Sequence, residues 1–184
     1  YSSAASDVYK DIFDKTGTLT QGEPTVTALE PVEGYSDNEL LALAAAAESD
    51  SEHPLARAIV SAAEEQQLEV PRASDFSSSP AVGVRATVDG TVIEVGGPYL
   101  LEERSADELK VASTWREEGA IILHVLADGH VIGALRLADK IREASFDAVK
   151  ALHAAGVEVV MITGDAQAVA ESVAAELGID RVYA

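Results

Sequence analysis

Hydrophobic and polar positions change period several times along the chain, and each change marks a different element. The apolar-rich stretch from Val8 to Phe13 reads as a short strand that ends at Asp14. After Gly22 an extended run, "PTVTALEPV", leads to Ser36, Asp37, Asn38 and Glu39, which have the spacing of a capping box. The Ala- and Leu-rich segment behind it predicts a helix from Asp37 to Glu48. Pro54 suits a first helical turn and predicts a second helix, with Leu55, Ala58, Ile59 and Ala62 on one face. The polar "SDSEH" joins the two into a helical hairpin.

Beyond Ser79 the period becomes two. "VGVRATV" and "TVIEVGG" flank Asp89-Gly90, and "AIILHVLA" and "HVIGALRLA" flank Asp128-Gly129, so two hairpins with two-residue turns are expected. Between them, Ser105 and Glu108 repeat the capping-box spacing and predict a third helix that starts at Ser105. The last segment differs again. A helix from Ile141 to Ala155 stops at Gly156, a buried-type strand "VEVVMI" runs into "TGDA", and a helix from Gln167 to Leu177 stops at Gly178. The middle is therefore antiparallel sheet with helices, and the end is α/β in style. Laying the strand before Asp14 beside the strand before Thr163 makes one domain from residues 1–23 and 134–184. Residues 24–133 form a second, inserted domain.

Composition narrows this picture. No apolar run approaches the roughly 18 residues needed to cross a bilayer, and no signal-peptide pattern opens the chain, so a soluble piece is expected. Cysteine is absent, which excludes disulfides and thiolate metal sites. The net charge of −19 repels nucleic-acid phosphates and anionic lipid, so no nucleic-acid partner is expected. The acids are spread along ordinary amphipathic segments, as in a solvated shell suited to high salt; a halophilic source is the expectation, an acidic mesophilic domain the alternative. His124, His130 and His153 are isolated from one another and give no support to a three-ligand zinc site. His124 alternates with apolar neighbours on a strand face, and Trp115 and Met161 read as core.

The two strand ends carry the candidate chemistry. A carboxylate such as Asp14 can attack phosphorus and form an aspartyl phosphate. The small residues Gly17 and Thr18 let backbone N–H groups turn toward an anion. Thr163 and Gly164 can offer a hydroxyl and an amide to the same phosphoryl group, with Asp165 beside them. Each loop alone has a structural reading, because Asp, Thr and Gly are ordinary turn residues.

Together the strings resemble those of one family. "DKTGTLT" is similar to the phosphorylation motif of P-type cation-transporting ATPases, within the haloacid-dehalogenase-like superfamily; "MITGD" resembles their "TGD" loop and "LADKIR" the segment before it. "SEHPLARAIV" is similar to the His-Pro motif of the heavy-metal-transporting branch. The resemblance spans nearly the whole chain. It implies an α/β haloacid-dehalogenase-like (Rossmann-like) phosphorylation domain, incomplete, with an inserted α+β nucleotide-binding domain built on an antiparallel sheet. It places the phosphorylated aspartate on Asp14 and its lysine on Lys15, assigns Thr163, Gly164 and Asp165 to the phosphoryl site, and gives Mg²⁺ to Asp14 and the Thr16 carbonyl. Thr16 stands where related phosphatases carry a second acid, which would activate water and shorten the life of the phosphoenzyme. ATP or ADP would meet Glu48, His53, Gly83, Gly96 and Gly97, with Ser51 and Glu52 completing the motif.

Four departures from the family pattern accompany the match. Ala81 replaces the first glycine of a GxG, where its methyl group is expected to crowd the nucleotide. Ala166 stands for Asn and Glu143 for Pro, and the chain stops before the loop that supplies further Mg²⁺-binding aspartates. "VGGPYLLEE" looks like the variant common in copper export. The resemblance thus implies the cytoplasmic part of a plasma-membrane pump for copper, or alternatively zinc or cadmium. Its membrane and actuator domains would lie elsewhere in the polypeptide, and the fragment would bind nucleotide with little or no turnover. A soluble phosphatase with a cap domain is the competing expectation.

Overall fold

The computed structural model describes residues 10–164 and 167–184. Along the chain, β1 (Lys10–Asp14) is followed by a π-type turn over Lys15–Leu19, β2 (Thr20–Pro31), α1 (Asp37–Glu48) and α2 (Pro54–Glu65). Next come β3 (Ala73–Ser79), β4 (Gly83–Val88), β5 (Thr91–Gly96), α3 (Pro98–Arg104) and α4 (Lys110–Glu117). The chain ends with β6 (Ile121–Ala127), β7 (His130–Ile141), α5 (Glu143–Ala154), β8 (Glu158–Ile162), α6 (Gln167–Leu177) and β9 (Arg181–Tyr183). It divides into an outer unit, up to Gly22 and from Asp139, and an inner unit, Glu23–Ala138. Among the described residues no helix is long and apolar enough to cross a membrane.

In the outer unit β1, β8 and β9 form a parallel sheet in the order β1-β8-β9. Met161 at its centre is fully buried and packs with Leu19, Ala170, Ala174 and Leu177, so α6 lies on that face. Asp180 pins the sheet to α5. Its carboxylate accepts the Val159 N–H at 2.8 Å and lies 2.9 Å from His153 Nε2.

The inner unit is a six-stranded sheet in the order β2-β7-β6-β5-β4-β3, antiparallel from β3 through β7. Both tight turns have positive φ at their two central residues, Asp89 (49°) with Gly90 (83°) and Asp128 (46°) with Gly129 (81°), which matches the right-handed twist of a hairpin. Ser36 caps α1 as the spacing predicts: its Oγ accepts from Glu39 N–H, and the Glu39 carboxylate accepts from Ser36 N–H at 2.9 Å. Ala44 to Ala47 are fully buried, so α1 lies close on the sheet. Gly133 makes room for it, since a Cβ there would sit 2.5 Å from Leu40 Cδ2. Leu123 and Val125 pack with α1 and α2, whereas Leu126 and Ile122 pack with α3 and α4. Met161 is core as expected, while Trp115 is half-buried against Ala112 and Ile122.

The structure departs from the sequence pattern in three places. Glu23 and residues 134–138 fall in the inner unit rather than the outer one, and Leu135 and Leu137 are fully buried in its core. Ser105 does not start a helix. It ends α3 in the left-handed conformation (φ 51°), because Pro98 starts that helix seven residues earlier than the cap spacing suggests, and α4 begins only at Lys110. Finally, two strands lack a hydrophobic pattern that announces them: β3 is a polar edge strand with a register shift between Ser74 and Ser77, and β9 is three residues long.

A buried ion pair fixes α3 to β5. Glu94, whose side chain is 4% exposed, receives Arg104 Nε at 3.1 and 3.0 Å on its two oxygens, and Arg104 Nη2 at 2.5 Å. Removing the arginine leaves a buried carboxylate without its ion-pair partner, so Arg104→Ala is expected to cost about 3 kcal/mol. Urea denaturation of the variant measures it; a loss below about 1 kcal/mol would mean that water reaches Glu94.

Candidate functional site

The sequence-derived residues fall into two groups, one in each unit. In the outer unit, Asp14 ends β1 and is register partner to Ile162, which ends β8. Thr163 and Gly164 follow directly, so both loops leave the same edge of a parallel sheet. Asp14 is exposed, Thr163 is buried and donates its N–H to Tyr183 O at 3.0 Å, and Lys15 is buried. Asp165 and Ala166 lie outside the described residues.

Gly17 takes φ 77°, which lets the chain turn tightly after Thr16. The carbonyls of this turn are tied down one by one. Lys15 O accepts the Thr20 N–H; Gly17 O and Thr20 O accept Arg142 Nη2 and Nε at 3.2 and 2.9 Å. Leu19 O accepts the Arg142 N–H at 3.0 Å and Ser145 Oγ at 2.9 Å. The fully buried Thr20 hydroxyl donates to Asp139 Oδ2 at 2.5 Å, and Asp139 Oδ1 accepts the Gly22 N–H at 3.0 Å. Among the described residues, Thr16 O is not one of the tied carbonyls. The string "LADKIREAS" therefore supplies the clasp of the turn through Asp139, Arg142 and Ser145, a role that only their side-chain chemistry hinted at in sequence. Glu143, at the family's proline position, opens α5 as an acid in the first turn, where the helix dipole favours it.

In the inner unit a cavity of about 250 Å³ gathers the second group. Glu48, Ser51, His53 and Leu55 line it from the α1–α2 junction, Gly83, Gly96 and Gly97 from the strand ends, and Leu123 from the sheet. Apart from Glu48 and His53 the lining is small or apolar, a composition suited to a flat heterocycle with a few polar edges. Sequence reading brought these residues together but overlooked Leu123 and the serines of β3, Ser78 and Ser79, which also line the cavity. A more open hollow of about 470 Å³ beside α3 and α4 is lined by Glu102, Asp107, Glu108 and Arg116, none of them read from sequence as a site residue. His124 lies fully buried on β6, 3.5 Å from Glu108, and desolvation holds its pKa below the ordinary value.

Gly83 and Gly96 are register partners whose backbones nearly touch, for a Cβ on Gly96 would lie 2.0 Å from Val82 O. Ala81, exposed beside them, is held at φ 65°. Its departure from glycine thus has a conformational consequence besides the crowding expected from its methyl group. An L-residue in that region costs about 1–2 kcal/mol, partly offset by the larger unfolded-state entropy of glycine. Ala81→Gly is therefore expected to stabilise the chain by roughly 0.5 kcal/mol, measurable as a small rise in urea midpoint at constant slope.

Burial raises the Glu48 carboxyl from its ordinary 4.5 to about 7, although a hydrogen bond from Ser51 pulls the other way. The folded chain then holds this proton while the unfolded chain releases it. The stability so gained is fully present below pH 4.5 and is lost as pH rises through about 7. Glu48→Gln is expected to flatten the fall in melting temperature between those two values, a change that thermal scans at several pH values detect.

A model of the haloacid dehalogenase-like hydrolase family matches residues 12–184. A probable copper-exporting P-type ATPase V of Mycobacterium tuberculosis is 41% identical over 177 residues, covering 94% of this chain and 23% of that protein. Among solved structures, a zinc-transporting PIB-type ATPase superposes with a TM-score of 0.84 and 35% identity, over 95% of this chain and 28% of that one. The catalytic domain of the CPx-ATPase CopB-B, from work on its conformational changes upon nucleotide binding, gives a TM-score of 0.66 and 29% identity, over 96% of this chain and 61% of that one. The chain spans less than a quarter of the length of the curated relatives it matches.

Proposed function

The chain belongs to the haloacid dehalogenase-like hydrolase family, and from that premise we propose that it is the ATP-binding and phosphorylation portion of a heavy-metal-exporting P-type ATPase. The observation that carries this reading is the register of Asp14 with Ile162, which brings the "DKTGTLT" turn and the Thr163-Gly164 turn out at one sheet edge. The carboxylate of Asp14 attacks the γ-phosphorus of ATP, the bond to the bridging oxygen breaks, and ADP leaves behind an acyl phosphate. Lys15, the Thr163 hydroxyl and the Gly164 amide balance charge on the phosphoryl oxygens, with Asp165 assigned to the same loop. Thr16 has no carboxyl group to activate water, so the acyl phosphate outlasts the brief intermediate of a phosphatase.

Mg²⁺, when bound, neutralises phosphoryl charge. Asp14 and the Thr16 carbonyl are both on exposed residues and offer hard oxygen donors, which fits an ion that keeps several waters and shares substrate phosphate oxygens. They do not make a closed cage; among the described residues no group of three His, Cys, Asp or Glu could hold a metal. In the inner unit, Glu48 and His53 take the adenine edge, and the backbones at Gly83, Gly96 and Gly97 allow close approach of the nucleotide. The rest of the polypeptide supplies membrane helices and an actuator domain, which places this portion on the cytoplasmic side of the plasma membrane.

Copper is the proposed cargo, from the Gly96-Gly97-Pro98 sequence and the copper-exporting relative; the zinc-transporting structure makes zinc the second reading. Incubating the full-length transporter with γ-³²P-ATP and Mg²⁺ tests both. Acid-stable, hydroxylamine-labile label, raised more by Cu⁺ than by Zn²⁺, is expected. Steady phosphate release from small phosphoesters without such label would replace the pump with a soluble phosphatase.

A further inference from the structure

Four cavity-lining residues at the α1–α2 junction are tied to one another in series. Ser51 donates its N–H to Glu48 O at 2.9 Å, closing the turn that leaves α1. Its hydroxyl oxygen accepts the His53 N–H at 3.4 Å, and the same hydroxyl hydrogen-bonds the Glu48 carboxyl group. His53 then caps α2, its Nδ1 accepting the Leu55 N–H at 3.2 Å. A ring nitrogen that accepts carries no proton, so in neutral His53 the proton sits on Nε2. All four residues face the 250 Å³ cavity, and Glu48 is 6% exposed.

We propose that Ser51 is a positioning residue of this pocket: its hydroxyl locks the Glu48 carboxyl group and the His53 backbone into one arrangement, so that an adenine nucleotide meets both side chains as a preformed pair. The proposal rests on the nucleotide reading given above. A serine hydroxyl has one proton and two lone pairs, which is the minimum that serves both neighbours at once. The proton goes to the carboxyl group and a lone pair to the His53 N–H. Without the hydroxyl, the His53 N–H loses its acceptor and the Glu48 side chain is free to take other rotamers inside the cavity. Ordering those groups then falls to the ligand, which weakens binding.

Calorimetric titration of the chain with ATP and ADP tests this in the wild type, Ser51→Ala, Ser51→Thr, Glu48→Gln and the Glu48→Gln/Ser51→Ala double variant. Ser51→Ala is expected to weaken binding about 5- to 10-fold, as loss of one hydrogen bond to a buried group does, and Ser51→Thr to restore it to within about 2-fold. The double variant should lose less than the product of the two single losses, because Ser51 acts through Glu48. Carboxyl ¹³C titration of Glu48 adds a readout that a merely structural serine would not move: its midpoint is expected to rise in Ser51→Ala and return in Ser51→Thr. Unchanged affinity with an unchanged Glu48 titration would overturn the positioning role while leaving the pocket assignment intact. If the wild type binds neither nucleotide, the pocket assignment itself falls and takes this role with it.

Discussion

The proposed role of Asp14 as phosphoryl acceptor predicts that Asp14→Asn abolishes acid-stable phosphate on the full-length protein while nucleotide affinity stays within about 2-fold of wild type. An amide has no anionic oxygen to attack phosphorus, and its neighbours cannot replace one. Thr16 and Thr18 carry only unactivated hydroxyls. The separation of effects follows from where Asp14 stands. It is exposed at a strand end, makes no side-chain capping bond, and its turn is held by Arg142, Asp139 and Ser145 rather than by its own carboxylate. Stability should therefore change by less than about 0.5 kcal/mol. Asp14→Glu makes the complementary case. It keeps the charge but shifts the oxygen by about one methylene, a misplacement that costs on the order of 100-fold in an aligned transfer. Labelling gels beside calorimetry check both variants, and a labelled Asn variant would move the acceptor elsewhere.

Gly83→Ala is expected to cost about 3 kcal/mol or more and to eliminate nucleotide binding. A Cβ at this position would lie 2.1 Å from Val95 O, 2.7 Å from Gly96 Cα and 2.9 Å from Val95 C. All three are backbone atoms of the paired strand, so no side chain can rotate out of the way. Gly83 also holds φ 146°, outside the range other residues occupy at low energy. The strand must shift, and with it the cavity wall formed by Gly83 and Gly96. Gly97 provides the contrast. A Cβ there meets nothing within 4 Å, so any affinity lost in Gly97→Ala reports the approach of ligand rather than the fold. Urea denaturation and nucleotide titration separate the two; a Gly83→Ala chain of wild-type stability would show that β4 and β5 are not held as tightly as their register implies.

Most elements of this fold are legible in the sequence because local chemistry and burial agree there. Ser36 and Glu39 specify the start of α1, Pro54 that of α2, and both Asp-Gly turns their hairpins. Local chemistry misleads at Ser105, where a capping-box spacing competes with a proline nearer the strand. Leu100 and Leu101 bury themselves against Leu126, and that packing decides where the helix lies. The edge strand β3 hides because only Ala73 and Phe76 turn inward from an otherwise polar run. Cavity residues were visible as a motif, yet their mutual hydrogen bonds were not, since Ser51 to Glu48 or His53 is a matter of turn geometry. The same holds for the clasp of Arg142 on Gly17 and Thr20, which joins distant parts of the chain.

The insertion of one unit into the other also sets an expectation for the order of events during folding. Lys10 must find Glu158, and Asp14 must find Ile162, across the whole of the intervening chain. Closing so long a flexible loop is entropically unfavourable and slow. Once the inner unit has formed, however, its two ends emerge from neighbouring strands, and Gly22 N lies 3.0 Å from the Asp139 carboxylate. The two ends of the intervening chain then lie on adjacent strands, and the remaining closure spans few residues. Formation of the inner unit first is therefore the expected order, and a lesion such as Arg104→Ala is expected to slow pairing of β1 with β8, which refolding kinetics would measure.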